Sequence, residues 1–258
     1  MKRRPLLARL AGVAGVLAVP TMAARAQEPH VAPRIYAVMS LVADFLTVTG
    51  FESTTGSLLA QNQTERIELQ TDELERVVVR TALRALDEQG ISGAVPMLSV
   101  DGRLYAQQGR FIDGDTARLP GFLLDLLQTQ KVTHLLLVTK FKGAAKMRSV
   151  DLDLGTGRVE GLGFYLDRVT TLRRLEHGDT TVGYLAPHAY LRLSLIDVAR
   201  GRVLQGRTLT ASRVVTAAGT AAGANPWDAM SSAEKTAALS ELISSATLPA
   251  WRDMLRAG

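Results

Sequence analysis

The stretch GLGFYLDR at residues 161–168 combines two glycines with aromatic and charged side chains that could bind a ligand. A dinucleotide-binding loop would need a third glycine at Leu166 and a following helix whose amino terminus receives the phosphates. Strand-like residues lie on both sides instead, and the sequence has no Gly-Lys-Ser or Gly-Lys-Thr of a P-loop. We therefore interpret the stretch as a strand whose glycines permit a bulge or a close backbone approach. Residue alternation places Tyr165 and Asp167 on one face of this strand, which could still contact a ligand.

A second stretch, SLVADFLTV at residues 40–48, is similar to the first block of GDSL-type esterases, in which a strand ends in Gly-Asp-Ser. Here Ala43-Asp44-Phe45 stands in that place, so the serine nucleophile is missing. A Gly-x-Ser-x-Gly elbow and a carboxy-terminal Asp-x-x-His pair are also missing, which argues against a serine hydrolase. An exported hydrolase of another type stays open as the alternative function. It would use Asp44 at a strand end with Tyr165, Asp167 or His188.

Metal ligands are sparse in this sequence. The histidines are His30, His134, His177 and His188. None of them forms a His-x-x-x-His pair, so we predict no metal site and no cofactor. The sequence contains no cysteine, which excludes disulfides, thiolate metal sites, a cysteine nucleophile and a lipid-anchored cysteine.

A basic cluster, Arg168, Arg173 and Arg174, precedes the charged stretch LEHGD at residues 175–179. The favoured interpretation is a solvated loop whose charges partly cancel, because loops collect charged residues. The alternative is a basic tip that contacts an anionic envelope polymer or a partner protein. The sequence leaves both open.

The amino terminus has the features of a signal peptide. A positive start (MKRR) is followed by an apolar run, LAGVAGVLAV at 10–19, which is too short to span a bilayer. Ala24-Arg25-Ala26 supplies the small-x-small cleavage pattern. We predict cleavage after Ala26 and a periplasmic protein without a transmembrane segment. The Arg3-Arg4 pair also fits a twin-arginine signal, so the export route, Sec or twin-arginine, stays open.

Removal of residues 1–26 changes the charge of the protein. The chain carries 30 Lys and Arg against 25 Asp and Glu, a formal net charge of +5. Five basic residues and no acidic residue lie in the signal segment, which leaves 25 of each sign in residues 27–258. The basic character is therefore a targeting feature, and we expect no nucleic-acid partner.

Hydrophobic periodicity predicts alternating strands and helices in residues 27–258, after a flexible lead-in at 27–33. The spacing of Asp72 with Glu75, and of Ser231 with Glu234, is that of capping boxes at two helix starts. Asp101-Gly102 predicts a hairpin turn. The predicted elements are one strand, or two with a bulge near Ala43-Asp44 (34–48), a helix (from 71 or 72 to 90), a strand (95–100), a helix (119–130), a strand covered on both faces (135–138), two hairpins (150–167 and 190–210) and a final helix after residue 231.

This order of elements predicts the fold class α/β (α+β): a single domain with a mixed, largely antiparallel sheet packed by about three helices. No repeat and no interdomain linker interrupts residues 27–258.

The hairpin LRLSLIDVARGRVL at residues 191–204 resembles the closing hairpin of periplasmic modules in outer-membrane assembly proteins. These are the curli-secretion, penicillin-binding-protein-activator and Tol amino-terminal domain group. The resemblance extends in layout over residues 70–247, but only the hairpin resembles them in sequence. Several of those proteins are anchored through a cysteine, which this sequence lacks. The chain also looks like an exported proteobacterial protein.

A predicted export signal, a full hydrophobic core and the absence of a catalytic motif together favour a non-catalytic interaction or accessory module of the cell envelope. Its expected partner is an envelope protein or an anionic envelope polymer.

Overall fold

The structure is a computed structural model that describes residues 33–51, 62–99, 101–149, 152–173, 180–216 and 225–257. One compact unit extends from Arg34 to Gly258. The predicted signal segment at 1–26 and nearly all of the lead-in at 27–33 lie outside the described residues, so both stay predictions.

The described residues form thirteen strands and four α-helices. The strands are β1 (Tyr36–Leu41), β2 (Phe45–Phe51), β3 (Gln63–Glu68), β4 (Val95–Leu98), β5 (Ile112–Asp113), β6 (Thr116–Ala117), β7 (His134–Lys140), β8 (Lys142–Ala144), β9 (Met147–Arg148), β10 (Asp153–Leu154), β11 (Arg158–Arg173), β12 (Thr180–Asp197) and β13 (Arg202–Ser212). The helices are α1 (Glu73–Asp87), α2 (Gly102–Gln107), α3 (Gly121–Thr129) and α4 (Ser232–Ala257).

One large sheet contains all strands except β9 and β10, and the 18-residue strand β12 lies at its centre. On one side β12 pairs with β13. On its other side the first half of β12 pairs with β11 and the second half with β7, both antiparallel. The outer strands repeat this division, because β2 pairs with β11 and β1 pairs with β7, both parallel. The mixed, largely antiparallel sheet predicted from the sequence is confirmed.

Strands β7 and β11 lie end to end beside β12, and between them the chain leaves the sheet and returns to it. Lys140 lies opposite Leu191, and Gly161 lies opposite the preceding residue, Tyr190. The backbone of Phe141 closes the base of the excursion, because its N–H donates to the Tyr190 carbonyl (2.9 Å) and its carbonyl accepts from the Gly161 N–H (3.2 Å). We call residues 141–149 and 152–160 the cover segment.

Three apolar cores surround this sheet. On one face, α1 and α4 pack against β1, β7, β11 and β12. On the opposite face, α2 and α3 pack against β1 and β7. The cover segment packs farther along that opposite face, against an aromatic cluster that contains Tyr165, Tyr184 and Tyr190. Strand β7 is therefore covered on both faces, which explains its unbroken apolar run.

Several predicted elements match the structure. The chain breaks between β1 and β2 at residues 42–44, where a bulge was predicted. The stretch at 161–168 lies within β11, and Gly163 allows the predicted close approach, since a Cβ there would lie 1.9 Å from the Thr47 carbonyl oxygen. The capping box at Ser231 and Glu234 is present, with a 2.7 Å bond from the Ser231 N–H to the Glu234 carboxylate.

Other predictions were wrong. Asp101-Gly102 does not form a hairpin turn, because the Asp101 side chain caps α2 by accepting from the Arg103 N–H (2.9 Å). This adds a fourth helix to the expected three. The predicted hairpin at 150–167 is also absent among the described residues, since β10 pairs with β9 and β11 pairs with β12. None of the helices in the described ranges is long and apolar enough to cross a membrane.

Candidate functional site

The structure places Asp167, one of the residues predicted to contact a ligand, inside the protein. One carboxylate oxygen accepts from the backbone N–H groups of Val169 (2.8 Å) and Thr170 (2.7 Å), and the other accepts from the Thr170 hydroxyl (2.7 Å). These bonds satisfy the backbone where the register of β11 shifts between Asp167 and Thr171. Asp167 therefore stabilises an irregularity of the strand.

Tyr165, on the same face, is fully buried beneath the cover segment. Its hydroxyl accepts from the Thr156 N–H at 3.0 Å, and its ring stacks on Tyr184 with 6.1 Å between centroids. Tyr190 fastens the other end of the cover segment, since its hydroxyl donates to the Ala144 carbonyl (3.0 Å) and accepts from the Lys146 N–H (2.9 Å). Both tyrosines hold the cover segment to the sheet.

His188 is completely buried on β12, opposite Gly163. Neither ring nitrogen has a hydrogen bond of good geometry within the described part of the chain. Burial lowers the pKa of His188 to about 4, while the backbone near Gly161 acts in the opposite direction, so the ring is neutral at neutral pH. Since His188 has no exposed surface, it does not open onto a cleft shared with Asp44, as the hydrolase alternative would require.

Two residues of the basic cluster, Arg168 and Arg173, belong to β11. Arg168 is exposed on β11, and the backbone of Arg173 ends the strand opposite Thr180. Arg174 and the stretch 175–179 lie outside the described residues. The interpretations of this cluster as a solvated loop or as a basic tip both stay predictions.

Asp44 lies where β1 ends and β2 begins, and its carboxylate forms an ion pair with the ammonium group of Lys140. Lys140 is the last residue of β7, so the ion pair joins the break between β1 and β2 to the break between β7 and β11. The side chain of Lys140 is 4% exposed and that of Asp44 27%. Burial lowers the pKa of Lys140, and the hydrogen bond that its ammonium group donates to the Asp44 carboxylate opposes this shift.

Glu75, on α1, binds the backbone at the break between β1 and β2, a role that sequence reasoning missed. Its spacing from Asp72 predicts a capping box, but the Asp72 side chain makes no capping hydrogen bond in the structure. Instead one oxygen of the buried Glu75 carboxylate accepts from the N–H groups of Val42 and Ala43, both at 2.8 Å, and from the Tyr105 hydroxyl at 3.0 Å. Burial, with the Glu75 charge second, raises the pKa of Tyr105.

Phe45, the first residue of β2, lies beside two cationic groups. The Lys140 ammonium is 3.2 Å and the Arg66 guanidinium 4.6 Å from the centroid of its ring. Both distances are within the range of cation–π attraction. The break in the strand thus places the ring of Phe45 between the buried Lys140 and the exposed Arg66.

A pocket of about 250 Å³ opens next to this ring, and we call it the Phe45 pocket. Register explains its composition, because Thr47 and Thr49 alternate on one face of β2 while Arg66 and Thr64 lie directly across on β3. The cover segment forms the other wall. The lining residues are Phe45, Thr47, Thr49, Thr64, Arg66, Lys142, Arg158, Val159 and Glu160.

Hydroxyl groups and cations dominate the Phe45 pocket. The Thr47 hydroxyl donates to the Glu160 carbonyl at 3.1 Å, and the hydroxyls of Thr49 and Thr64 are 3.4 Å apart. Three cationic side chains line the pocket against one carboxylate, that of Glu160. Within the described residues, none of the three forms an ion pair. The cationic side chains are those of Arg66, Lys142 and Arg158.

This arrangement suits an anionic ligand that also carries hydroxyl groups. Guanidinium and ammonium groups donate charge-assisted hydrogen bonds to carboxylates, sulfates and phosphates. Threonine hydroxyls donate and accept, as sugar hydroxyls do. Within the described residues there is no group of three or more His, Asp or Glu side chains that could hold a metal ion.

Comparison with known proteins gave neither a matching protein-family model nor a matching curated sequence. Solved structures with a similar course of the chain include a PelC dodecamer from Paraburkholderia phytofirmans. Its sequence is 13% identical, the match covers 83% of this chain and 85% of that chain, and the TM-score is 0.32. A Xanthomonas campestris protein of the DUF330 family has 14% identity, coverage of 87% and 85%, and a TM-score of 0.39.

A Helicobacter pylori homologue of the neuraminyllactose-binding hemagglutinin has 8% identity, coverage of 87% of this chain and 84% of that chain, and a TM-score of 0.35. By name, none of these three proteins belongs to the curli-secretion, penicillin-binding-protein-activator or Tol group, so that resemblance stays a prediction. With TM-scores below 0.5, we base no functional argument on these similarities.

Proposed function

We propose that the protein is a non-catalytic binding module that holds an anionic, hydroxyl-bearing polymer of the cell envelope in the Phe45 pocket. The observation that carries this proposal is the convergence of Arg66, Lys142 and Arg158 with three threonines on one pocket, against a single carboxylate. The cations come from β3, β8 and β11, so folding itself assembles them.

The chemistry of the pocket favours an acidic polysaccharide. Each charge-assisted hydrogen bond contributes about 1.5–3 kcal/mol, enough for two or three of them to hold a single acidic sugar residue with modest affinity. The hydroxyl of the exposed Thr64 adds a neutral hydrogen bond to the sugar ring. A polymer would gain further affinity by presenting many acidic residues to the same pocket.

The pocket supports binding better than hydrolysis. Glycoside hydrolysis ordinarily needs two carboxyl groups that flank the scissile bond, about 5–10 Å apart. Glu160 is the one carboxylate among the lining residues, and the nearby Asp44 carboxylate is engaged by Lys140. A location in the periplasm depends on the signal peptide predicted at residues 1–26.

Calorimetric titration of residues 27–258 with polygalacturonate tests the proposal, with dextran as the uncharged comparison. We expect polygalacturonate to bind and dextran not to bind. Replacing Lys142 and Arg158 by Gln should weaken binding about tenfold for each lost charge-assisted bond. Arg256→Gln, at the exposed end of α4, removes one positive charge far along the chain from the pocket residues and serves as the matched control.

The proposal fails if dextran binds as well as polygalacturonate, or if Arg256→Gln weakens binding as much as Arg158→Gln. Binding should also fall steeply with salt, because the pocket contributes charge rather than apolar surface. If polygalacturonate were instead shortened during the titration, as chromatography of the product would detect, the protein would be an enzyme rather than a non-catalytic binding module.

A further inference from the structure

A second polar pocket lies on the sheet face that carries the cover segment, and none of its lining residues belongs to the Phe45 pocket. It has a volume of about 370 Å³, and we call it the Arg192 pocket. Its lining residues are Ile112, Gly114, Asp115, Arg192, Ser194, Val203, Leu204, Gln205, Gly206, Arg207 and Thr208. The volume suits a small ligand or a single sugar residue.

The register of β12 places this pocket between the cover segment and the helices α2 and α3, which pack on the same face of the sheet. Arg192 follows two residues after Tyr190, which belongs to the core under the cover segment. Ser194 lies opposite Leu137, which belongs to the core under α2 and α3. Between these two cores the sheet face is polar and open, with Thr208 directly across from Arg192.

Among the described residues, the guanidinium of Arg192 has no counterion. Its side chain is partly buried, and it makes no ion pair and no hydrogen bond with any residue that the structure describes. A guanidinium that is partly removed from water is ordinarily paired, because its five donors lose hydrogen bonds to water. Asp115 lines the same pocket without forming an ion pair with it. The donors of Arg192 are therefore available to a ligand.

Gly206 makes the space for such a ligand. It lies opposite Ser194, on the same face as Arg192. A Cβ at this position would meet its nearest neighbours, the Val203 side chain and the Leu193 carbonyl, at 3.8 and 3.9 Å, which are ordinary contacts. The backbone there does not require glycine, so a larger side chain could fill the pocket without straining the fold.

We propose that the Arg192 pocket binds a carboxylate group, held by a bidentate contact with the Arg192 guanidinium and by the hydroxyls of Ser194 and Thr208. Arg is the side chain best suited to this pairing, because its planar fork matches the two oxygens of a carboxylate. The carboxylate has two chemical sources, a small organic acid or an acidic sugar residue. This site is independent of the proposal for the Phe45 pocket.

The test is NMR titration of residues 27–258 with sodium glucuronate, sodium acetate and glucose, following the Arg192 Nε–Hε resonance and the backbone amide resonance of Thr208, which the Arg192 variants retain. We expect glucuronate to shift these resonances with saturation, and glucose to leave them unchanged. Acetate that binds as tightly as glucuronate identifies the small-acid source, and tighter binding of glucuronate identifies the acidic sugar. Either result supports the site.

Variants separate this site from general charge effects. Arg192→Gln and the pocket-filling Gly206→Val should each weaken glucuronate binding at least tenfold, whereas Arg192→Lys should weaken it less. Asp115→Asn should strengthen binding, because it removes the negative charge that lines the pocket. Thermal unfolding of each variant verifies that it is folded, and Gly206→Ala replaces Gly206→Val if the larger residue unfolds the protein.

The proposal is overturned if glucuronate leaves the Arg192 resonance unchanged, or if Arg192→Gln binds glucuronate as tightly as the unsubstituted protein. Arg256→Gln serves as the matched control, since the exposed Arg256 lines neither pocket. Loss of glucuronate binding in Lys142→Gln but not in Arg192→Gln would assign the ligand to the Phe45 pocket and contradict this inference.

Discussion

Replacing Glu75 by Ala should destabilise the protein strongly, because a single carboxylate oxygen satisfies three donors at the break between β1 and β2. The N–H groups of Val42 and Ala43 are buried, and their bonds to Glu75 are both 2.8 Å long. Each buried N–H left without a partner costs about 1–3 kcal/mol, so the two together should cost about 2–6 kcal/mol. That is a large fraction of the roughly 5–15 kcal/mol by which domains are stable.

Glu75→Gln provides the matched control. Glutamine keeps one side-chain oxygen for the three donors and changes only the second carboxylate oxygen, which has no hydrogen-bond partner within the described residues. We expect the control to lose no more than about 1–2 kcal/mol. Urea unfolding at pH 7 measures the free energy of unfolding of both variants. A loss below about 1 kcal/mol for Glu75→Ala, or equal losses for both variants, would refute the role of Glu75 as a backbone acceptor.

Three further changes test the packing of the sheet and its breaks. Gly163→Ala should cost about 3 kcal/mol or more in urea unfolding, since its Cβ would lie 1.9 Å from a backbone oxygen, while Gly206→Ala should cost less than about 1 kcal/mol. Since the pKa of His188 is about 4 when folded and 6.5 ordinarily, the free energy of unfolding should fall by about 3 kcal/mol between pH 6.5 and pH 4, and His188→Leu should remove this dependence. Asp44→Asn leaves the buried Lys140 ammonium without its counterion and should lower the free energy of unfolding by about 3–5 kcal/mol. In a double-mutant cycle, adding Lys140→Met to Asp44→Asn should recover most of this loss.

The elements with strong local signals could be predicted from the sequence. Helical spacing and Gly90 bound α1, the unbroken run of apolar residues predicts that β7 is covered on both faces, and the turn at 199–202 joins β12 to β13. The break at 42–44 follows from the interruption of an apolar strand by Ala43-Asp44. These signals are carried by neighbouring residues, so they need no knowledge of long-range pairing.

The partners of the strands could not be predicted in this way. Residues 150–154 alternate between apolar and acidic side chains and are followed by glycines, which is typical of a hairpin. In the structure, however, β10 pairs with the preceding strand β9, because the chain has left the sheet at Phe141. The role of Glu75 could not be predicted for a related reason. Its spacing from Asp72 is that of a capping box, and only the fold brings the break between β1 and β2 within reach of its carboxylate.

The Phe45 pocket depends entirely on such long-range pairing. Arg66, Lys142 and Arg158 are far apart in sequence and have no local motif in common. They converge because β2 pairs with both β3 and β11, and β8 pairs with the start of β11. Asp44 was a candidate from its strand-end position alone, and the structure places it at the edge of this region through Lys140 and Phe45.

The most direct test of the proposed function is to observe where an acidic oligosaccharide lies on the protein. Isotope-filtered NOE spectra of residues 27–258 with trigalacturonate would detect contacts between sugar protons and threonine methyl groups. The Phe45 pocket predicts NOEs to the methyl groups of Thr47, Thr49 and Thr64, and their loss in Arg66→Gln with Arg158→Gln. NOEs that lie only elsewhere on the protein, or that persist unchanged in this double variant, would contradict the account.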